Sequence, residues 1–168
     1  MKQIRLISTA VITLLVLGAC GYQLIGGKGI YGGDISSIYV SVFQNLTYEP
    51  HISQPVTESF SRELVSTGLF TLNEQSADGY LKGEITDVKT AASSLDATGV
   101  VIEKSVTVTV RIVLYEKNGK LVKGFGLSDS EIYRVEFAGA EEYNKREAIR
   151  RLSARMARRF SSQLLLEY

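Results

Sequence analysis

Cysteine and histidine are almost missing from this sequence: each occurs once in 168 residues. A single cysteine excludes an internal disulfide framework and any cysteine-cluster metal site. A single histidine, His51, leaves no set from which a zinc site or a catalytic triad could be assembled. Two prolines exclude a Pro-rich architecture, and 15 glycines without a three-residue period exclude a collagen-like one. An excess of one charge is missing as well. Nineteen Lys and Arg stand against 18 Asp and Glu, a net of +1, so nothing favours general nucleic-acid binding. Nucleophile-elbow, HExxH, CxxC and phosphate-loop frames do not occur. Asp78, Asp87, Asp96 and Asp129 are dispersed near turns, and a hydrolase would need two acids to converge in a cleft. No metal ligands and no cofactor are therefore expected. What is present is ordinary globular composition, 45% apolar and 22% charged. The length suits one domain able to bury about two-thirds of its unfolded surface.

The first twenty residues read MKQIRLISTAVITLLVLGAC. Lys2 and Arg5 form a positive start, 6–17 is an apolar run, and Leu17-Gly18-Ala19 places small residues before Cys20. That is the layout of a secretory signal over 1–19, with an apolar run too short for an unbroken membrane span. A buried helix or a short membrane anchor is the competing reading. Leu-Gly-Ala-Cys also resembles the lipobox of bacterial lipoproteins. In that class the cysteine becomes the first mature residue and carries a thioether-linked diacylglycerol and an amide-linked acyl chain. The resemblance makes Cys20 the lipidation site, against a free or intermolecularly paired thiol. Three acyl chains exceed the two signals that stable anchoring takes. Gly21, where an aspartate would mark inner-membrane retention in that class, points to the outer membrane. Residues 20–34 then form a lipidated cysteine with a glycine-rich tether, and 35–168 form a single domain.

Within that domain, Ile38, Val40 and Val42 alternate with Ser37, Tyr39 and Ser41, which predicts a half-buried strand over 35–43. Residues 45–50 read as a loop; the Asn45-Leu46-Thr47 sequon in it is incidental in a bacterial lipoprotein. A helix is expected over 53–67, with Pro55 in its first turn, Val56, Phe60 and Leu64 on one face, and Gly68 as its stop. Residues 69–72 read as a short strand or edge. A strand over 80–89 would put Leu81, Gly83, Ile85 and Asp87 on one face, with 90–99 a loop or frayed end. Val106, Val108, Val110, Ile112 and Leu114 carry the clearest alternation, a long strand over 101–115. Asn118-Gly119 predicts a tight hairpin in which both residues take positive φ. The partner strand, over 121–137, is expected to break at Gly124 and Gly126.

The chain closes with a long amphipathic helix over 140–166. Ile149, Leu152, Met156, Phe160 and Leu164 share one side, and acids precede bases in the sense that suits the helix dipole. Glu147 and Arg151 form a favourable pair four residues apart. The order β-α-β-β-β-α gives an α+β two-layer sandwich: an approximately four-stranded mixed sheet with two helices on one face.

From Cys20 onward the sequence resembles the LptE family of outer-membrane lipopolysaccharide-assembly lipoproteins. The resemblance rests on Cys20-Gly21-Tyr22-Gln23-Leu24 and on Ile38, Val40, Val42, Phe43, Asn45, Thr47, Glu49 and Pro50 at their spacing. It also rests on Val56-Thr57 with Phe60 and Glu63-Leu64, on Ala77-Asp78-Gly79-Tyr80-Leu81 with Gly83 and Ile85, and on the closing helix. It implies the same sandwich fold and a non-enzymatic role. The protein would be the plug and assembly partner of a large outer-membrane β-barrel, LptD, with which it delivers lipopolysaccharide to the cell surface. It would face the periplasm and the barrel lumen, held to the membrane by its lipid anchor.

Some family members bind lipopolysaccharide through bases near the loop after the second strand and before the last helix. This sequence departs from that: 93–99 holds no base, and 138–142 is acidic. Lys89, Lys104, Lys117, Lys120 and Lys123 are the nearby substitutes, and Arg151, Arg155 and Arg158 on the last helix are a second candidate group for glycolipid or other anions. Their alternative is solvated rim charge. At the level of function the alternative is a lipoprotein of another class, a pilotin-like assembly factor or a periplasmic ligand carrier. Cys20→Ser is expected to abolish acylation and move the protein from the membrane to the soluble fraction on cell fractionation; unchanged membrane retention would refute the lipobox.

Overall fold

The computed structural model describes residues 35–68, 70–136 and 138–166. The signal segment, Cys20 and the tether, together with Leu69 and Phe137 at the predicted strand ends, lie outside the described residues. The elements are β1 (Ser37–Val40), β2 (Gln44–Asn45), α1 (Ser53–Ser66), β3 (Thr71–Leu72), β4 (Gly79–Leu95), β5 (Val101–Glu116), β6 (Leu121–Arg134) and α2 (Ala138–Leu166). The strands make one mixed sheet in the order β3-β1-β4-β5-β6, with β2 also on β4. β1, β2 and β3 pair in parallel, whereas β4, β5 and β6 form an antiparallel meander. The α+β sandwich is as expected; the sheet has six strands rather than four.

The extra strands have identifiable causes. The expected strand over 35–43 breaks after Val40 because Phe43 turns inward. Its amide donates to Thr57 Oγ1 at 2.9 Å, and its ring lies over Gly83, where an added Cβ would overlap it. Past that point β2 resumes the pairing with Glu84 and Ile85. β3 is the two-residue edge on β1. Beside it, Asp78 accepts from the amides and hydroxyls of both Ser36 and Ser37 at 2.7–3.3 Å. The Ser37 and Ser36 hydroxyls, and then their amides, hold its carboxyl down at about 2. That fixes the entry of β1 against the start of β4.

β4 runs on to Leu95, so 90–95, expected as a loop or frayed end, is strand paired to β5. The face predicted for β4 also changes midway. The ladder slips between Ile85, opposite Val110, and Asp87, opposite Thr109. This bulge sends Asp87 to the outer face and hands the inner position to Val88, opposite Val108, which packs against the core. Gly124 and Gly126 do not interrupt β6; both stay in register with β5. The β5–β6 hairpin also differs from its expected form. Only Gly119 takes positive φ, at 85°. Glu116 donates to the Lys120 carbonyl at 2.9 Å, and Gly119 to that of Glu116 at 2.9 Å. This is a three-residue loop with a glycine bulge. The β4–β5 hairpin repeats it: Asp96 donates to Val100 at 2.8 Å, Gly99 to Asp96 at 3.0 Å, and Gly99 has φ 85°.

Both helices lie on one face of the sheet. Val56, Phe60 and Leu64 of α1 are buried, as are Ile149, Leu152, Met156, Phe160 and Leu164 of α2. They meet Leu81 and Ile85 of β4 and the alternating Val106, Val108, Val110, Ile112 and Leu114 of β5. Gly68, at φ 68°, ends α1 as expected. A file of phenyl rings crosses the layers: Phe43 to Phe60 at 5.1 Å, Phe60 to Phe160 at 5.6 Å, and Phe160 to Phe125 at 5.0 Å. The core stops short of the β4–β5 hairpin tip. There Leu95 and Val100 are 56% and 59% exposed.

Gly83→Ala is expected to lower stability by about 1–3 kcal/mol, the usual cost of overpacking. Denaturant midpoints check this, and the cost should shrink in a Phe43→Ala background, where the clashing ring is gone.

Candidate interaction surface

The inner face of β6 reads Phe125, Leu127, Asp129, Glu131, Tyr133. Two acids follow two apolar residues on the side that faces α2. An arginine ladder on α2 meets them. Arg151 Nε donates to Glu131 Oε1 at 2.8 Å. Arg155 Nε donates to Asp129 Oδ2 at 2.9 Å and its Nη1 to Glu131. The same helix reaches past the acids to the strand's outer edge. Arg155 Nη2 donates to the Ser130 carbonyl at 2.7 Å, and Arg159 Nη2 to that of Ser128 at 2.6 Å. These carbonyls belong to the last strand of the sheet, so the arginines fill acceptors that a further strand would otherwise take.

The electrostatics follow from these contacts. Partial burial pushes the Asp129 carboxyl up. The bonds from Arg155 and the Ser130 amide and the charges of Arg155 and Arg159 more than offset it, and the pKa ends below the ordinary 3.8. Burial likewise raises Glu131, and Arg151 and Arg155 bring it below its ordinary 4.5. Asp129 and then Glu131 raise Arg155 above its already high value.

The sequence-derived bases do not gather into one patch. Lys89 pairs with Asp87 at 2.7 Å, exposed on the outer face. Lys104 pairs with Glu141 at 2.6 Å, joining β5 to the start of α2. Lys120 pairs with Glu116 at 3.0 Å across the β5–β6 turn. Lys123 stands over the Phe125 ring at 5.5 Å. Arg151 and Arg155 are committed to β6. Lys117 and Arg158 have no ion-pair partner among the described residues. Cys20 lies outside them. His51 sits exposed in its loop with φ 58°, a left-handed backbone.

Two contacts escaped the sequence reading. Lys145 Nζ pairs with Glu49 Oε2 at 2.5 Å, at 18% and 11% side-chain exposure, tying the 46–52 loop to α2. Asn45, first residue of the sequon, braces that loop. Its Nδ2 donates to the Glu49 carbonyl at 2.7 Å, and its Oδ1 accepts from the Thr47 amide and hydroxyl. The Asn-x-Thr-x-Glu spacing is therefore a loop clamp that presents Glu49. The β6–α2 ladder did have a sequence signal: acids two apart on a strand face, and arginines four apart on a helix.

Among the described residues, no helix is long and apolar enough to cross a membrane, and no group of three or more His, Cys, Asp or Glu could hold a metal ion. The body is a small two-layer α+β unit of a kind seen in several bacterial proteins. A putative lipoprotein from Caulobacter crescentus shares the fold at TM-score 0.53 and 17% identity, over 73% of this chain and 87% of that one. A hypothetical protein from Chlamydia trachomatis shares it at TM-score 0.54 and 12% identity, over 77% and 95%. The rare lipoprotein B of Shewanella oneidensis aligns more loosely, at TM-score 0.47 and 17% identity over 77% and 99%. No functionally curated protein matches the sequence. Residues 35–164 match the family model described as LptE, lipopolysaccharide-assembly, and the chain belongs to that family.

The carboxylates fix a pH dependence. Asp129 and Glu131 have lower pKa values folded than unfolded. They add stability above their unfolded values, and that stability is lost as pH falls through the folded ones. The melting temperature should hold steady near neutrality and drop below about pH 4.5, where unfolded glutamate begins to protonate. Arg155→Ala should cost about 1–2 kcal/mol at pH 7, after discounting for its solvent exposure. The cost should shrink as pH falls through the folded values of the two acids, and denaturant titrations run from pH 7 down to acid check it.

Proposed function

We propose that this protein is a non-enzymatic outer-membrane lipoprotein that plugs and helps assemble an LptD-type β-barrel, and so takes part in lipopolysaccharide transport to the cell surface. The carrying observation is the family match over residues 35–164, which takes in nearly the whole described body. Physical features are consistent with it. The ladder and the Lys104–Glu141 pair use three of the candidate bases, Lys104, Arg151 and Arg155, to hold the body together, and Lys145–Glu49 adds a fourth internal tie. The unit offers a partner a fixed shape more than a charged cradle. The β4–β5 hairpin projects past the helices with Leu95, Val100 and Ile102 exposed, an apolar tip suited to a protein wall. Acyl chains on Cys20 would hold the unit at the membrane, on its periplasmic side. Direct binding of lipopolysaccharide would fall to Lys117 and Arg158 and to bases released from their pairs.

Co-expression with its cognate LptD barrel and purification in detergent should yield a stoichiometric complex. Depletion of the chain should lower the amount of correctly assembled barrel and of surface lipopolysaccharide. Recovery of the protein alone or with a small bound ligand, with barrel assembly unchanged, would favour a carrier and sink the proposal.

A further inference from the structure

The outer face of the sheet, away from the helices, carries a row of aromatic residues in register. Tyr39 of β1 stands opposite Tyr80 of β4, Tyr80 opposite Tyr115 of β5, and Tyr115 opposite Leu121 of β6. The Tyr39 and Tyr80 rings meet edge-on at 6.2 Å. Lys82 lies over the Tyr115 ring at 5.4 Å. Tyr80, Lys82, Tyr115, Glu116, Lys117 and Gly119 line one open depression beside the β5–β6 turn. Leu121 is 58% exposed.

Lys82 and Lys117 bring positive charge to that depression, and Lys117 has no ion-pair partner among the described residues. Lys120 follows in the turn, where Glu116 accepts from it and from Asn118. Asp78, held by Ser36 and Ser37, is the neighbouring acid on the β4 side. Tyrosine and lysine at the edge of a body are the residues that settle at a lipid–water boundary, the ring among headgroups and the ammonium against phosphate.

The chain's own connectivity selects which end can reach a membrane. Residue 35 enters the fold here: a Cβ added at Gly79 would meet the Ile35 side chain at 2.9 Å and the Tyr115 carbonyl at 3.2 Å. The fifteen residues 20–34 reach at most about 50 Å. β5 alone, with 16 residues, is itself about 50 Å long. To bring the hairpin tip at 95–100 to the leaflet holding Cys20, the tether would have to run back along the whole strand at full stretch. The tyrosine–lysine end needs none of that length.

We infer that this end, with Tyr80, Tyr115, Leu121, Lys82, Lys117 and Lys120, docks on the anionic phospholipid headgroups of the leaflet into which Cys20 is anchored. The inference rests on the acylation of Cys20 in the reading above and is independent of the barrel. It leaves the helices and the hairpin tip for a protein partner.

The test uses the full acylated chain in vesicles of phosphatidylethanolamine and phosphatidylglycerol at three to one, without any barrel. A fluorophore is attached through Asn118→Cys in the β5–β6 turn or Ala97→Cys at the opposite tip, and quenched by headgroup-level spin-labelled lipid. Flotation of the vesicles reports anchoring separately. The expected result is strong quenching at 118 and little at 97. Lys82→Gln, Lys117→Gln and Lys120→Gln should each lower the docked-to-undocked ratio about fivefold, with flotation unchanged. Replacing phosphatidylglycerol with phosphatidylcholine should act in the same direction. Equal quenching at the two positions, or quenching at 118 indifferent to lysines and lipid charge, overturns the docking while leaving the barrel partnership standing. Failure to float overturns the acylation and the docking with it. If adding the cognate barrel removes the lipid quenching at 118, that end belongs to the barrel wall and the docking is overturned.

Discussion

The absence of a side chain at Gly83 governs how this sheet carries its helices. On the inner face of β4 every second residue should present a side chain, and Leu81 and Ile85 do. Between them the bare backbone of Gly83 leaves a hollow, and the Phe43 ring fills it. Filling it breaks the first strand in two, brings Phe43 against Phe60 of α1, and through Phe60 engages Phe160 of α2 and Phe125 of β6. Elements far apart in sequence are thereby joined by ring contacts that depend on one small residue. Core packing at crystalline density makes such a dependence steep, because neither an extra methyl nor a missing ring can be absorbed without movement.

Much of this arrangement is legible in the sequence. Strong period-two alternation in β5 and the spacing of Val56, Phe60 and Leu64 located a strand and a helix correctly, because burial on one face imprints its period on the sequence. Where the reading failed, a local feature had been overruled by a long-range one. Residues 90–95 are small and polar, poor strand signals alone, yet they extend β4 because β5 supplies a paired partner. Gly124 and Gly126 suggested a break, but register with β5 carries β6 through them. Asp87 was placed on the inner face by counting in twos, and one bulge was enough to reverse it. The family resemblance was visible in spaced residues, and the Asn45–Thr47–Glu49 portion of it turns out to be a hydrogen-bonded clamp.

The candidate site was less legible than the fold. A base in a sequence carries no mark of the acid that will neutralise it, and Arg151 and Arg155 resemble a solvated stripe until β6 is laid beneath them. Asp129 and Glu131 occupy inner-face positions where a strand would ordinarily hold apolar residues, and they can do so only because the helix above brings guanidinium groups to within bonding distance. The near-neutral net charge is set by composition, and the internal pairs go further by leaving few of these charges without a local counter-charge. On the proposed reading this suits a body that must fit a partner by contour and not trap the anionic glycolipid passing nearby.

The contacts from Arg155 and Arg159 to the Ser130 and Ser128 carbonyls have a consequence beyond stability. A long terminal strand invites any neighbouring chain to zip onto it, and a β-rich enclosure would offer many such chains. By occupying those acceptors the guanidinium groups keep the sheet finite. Along that stretch of β6 the molecule can stand among strands as a guest without being stitched into their weave.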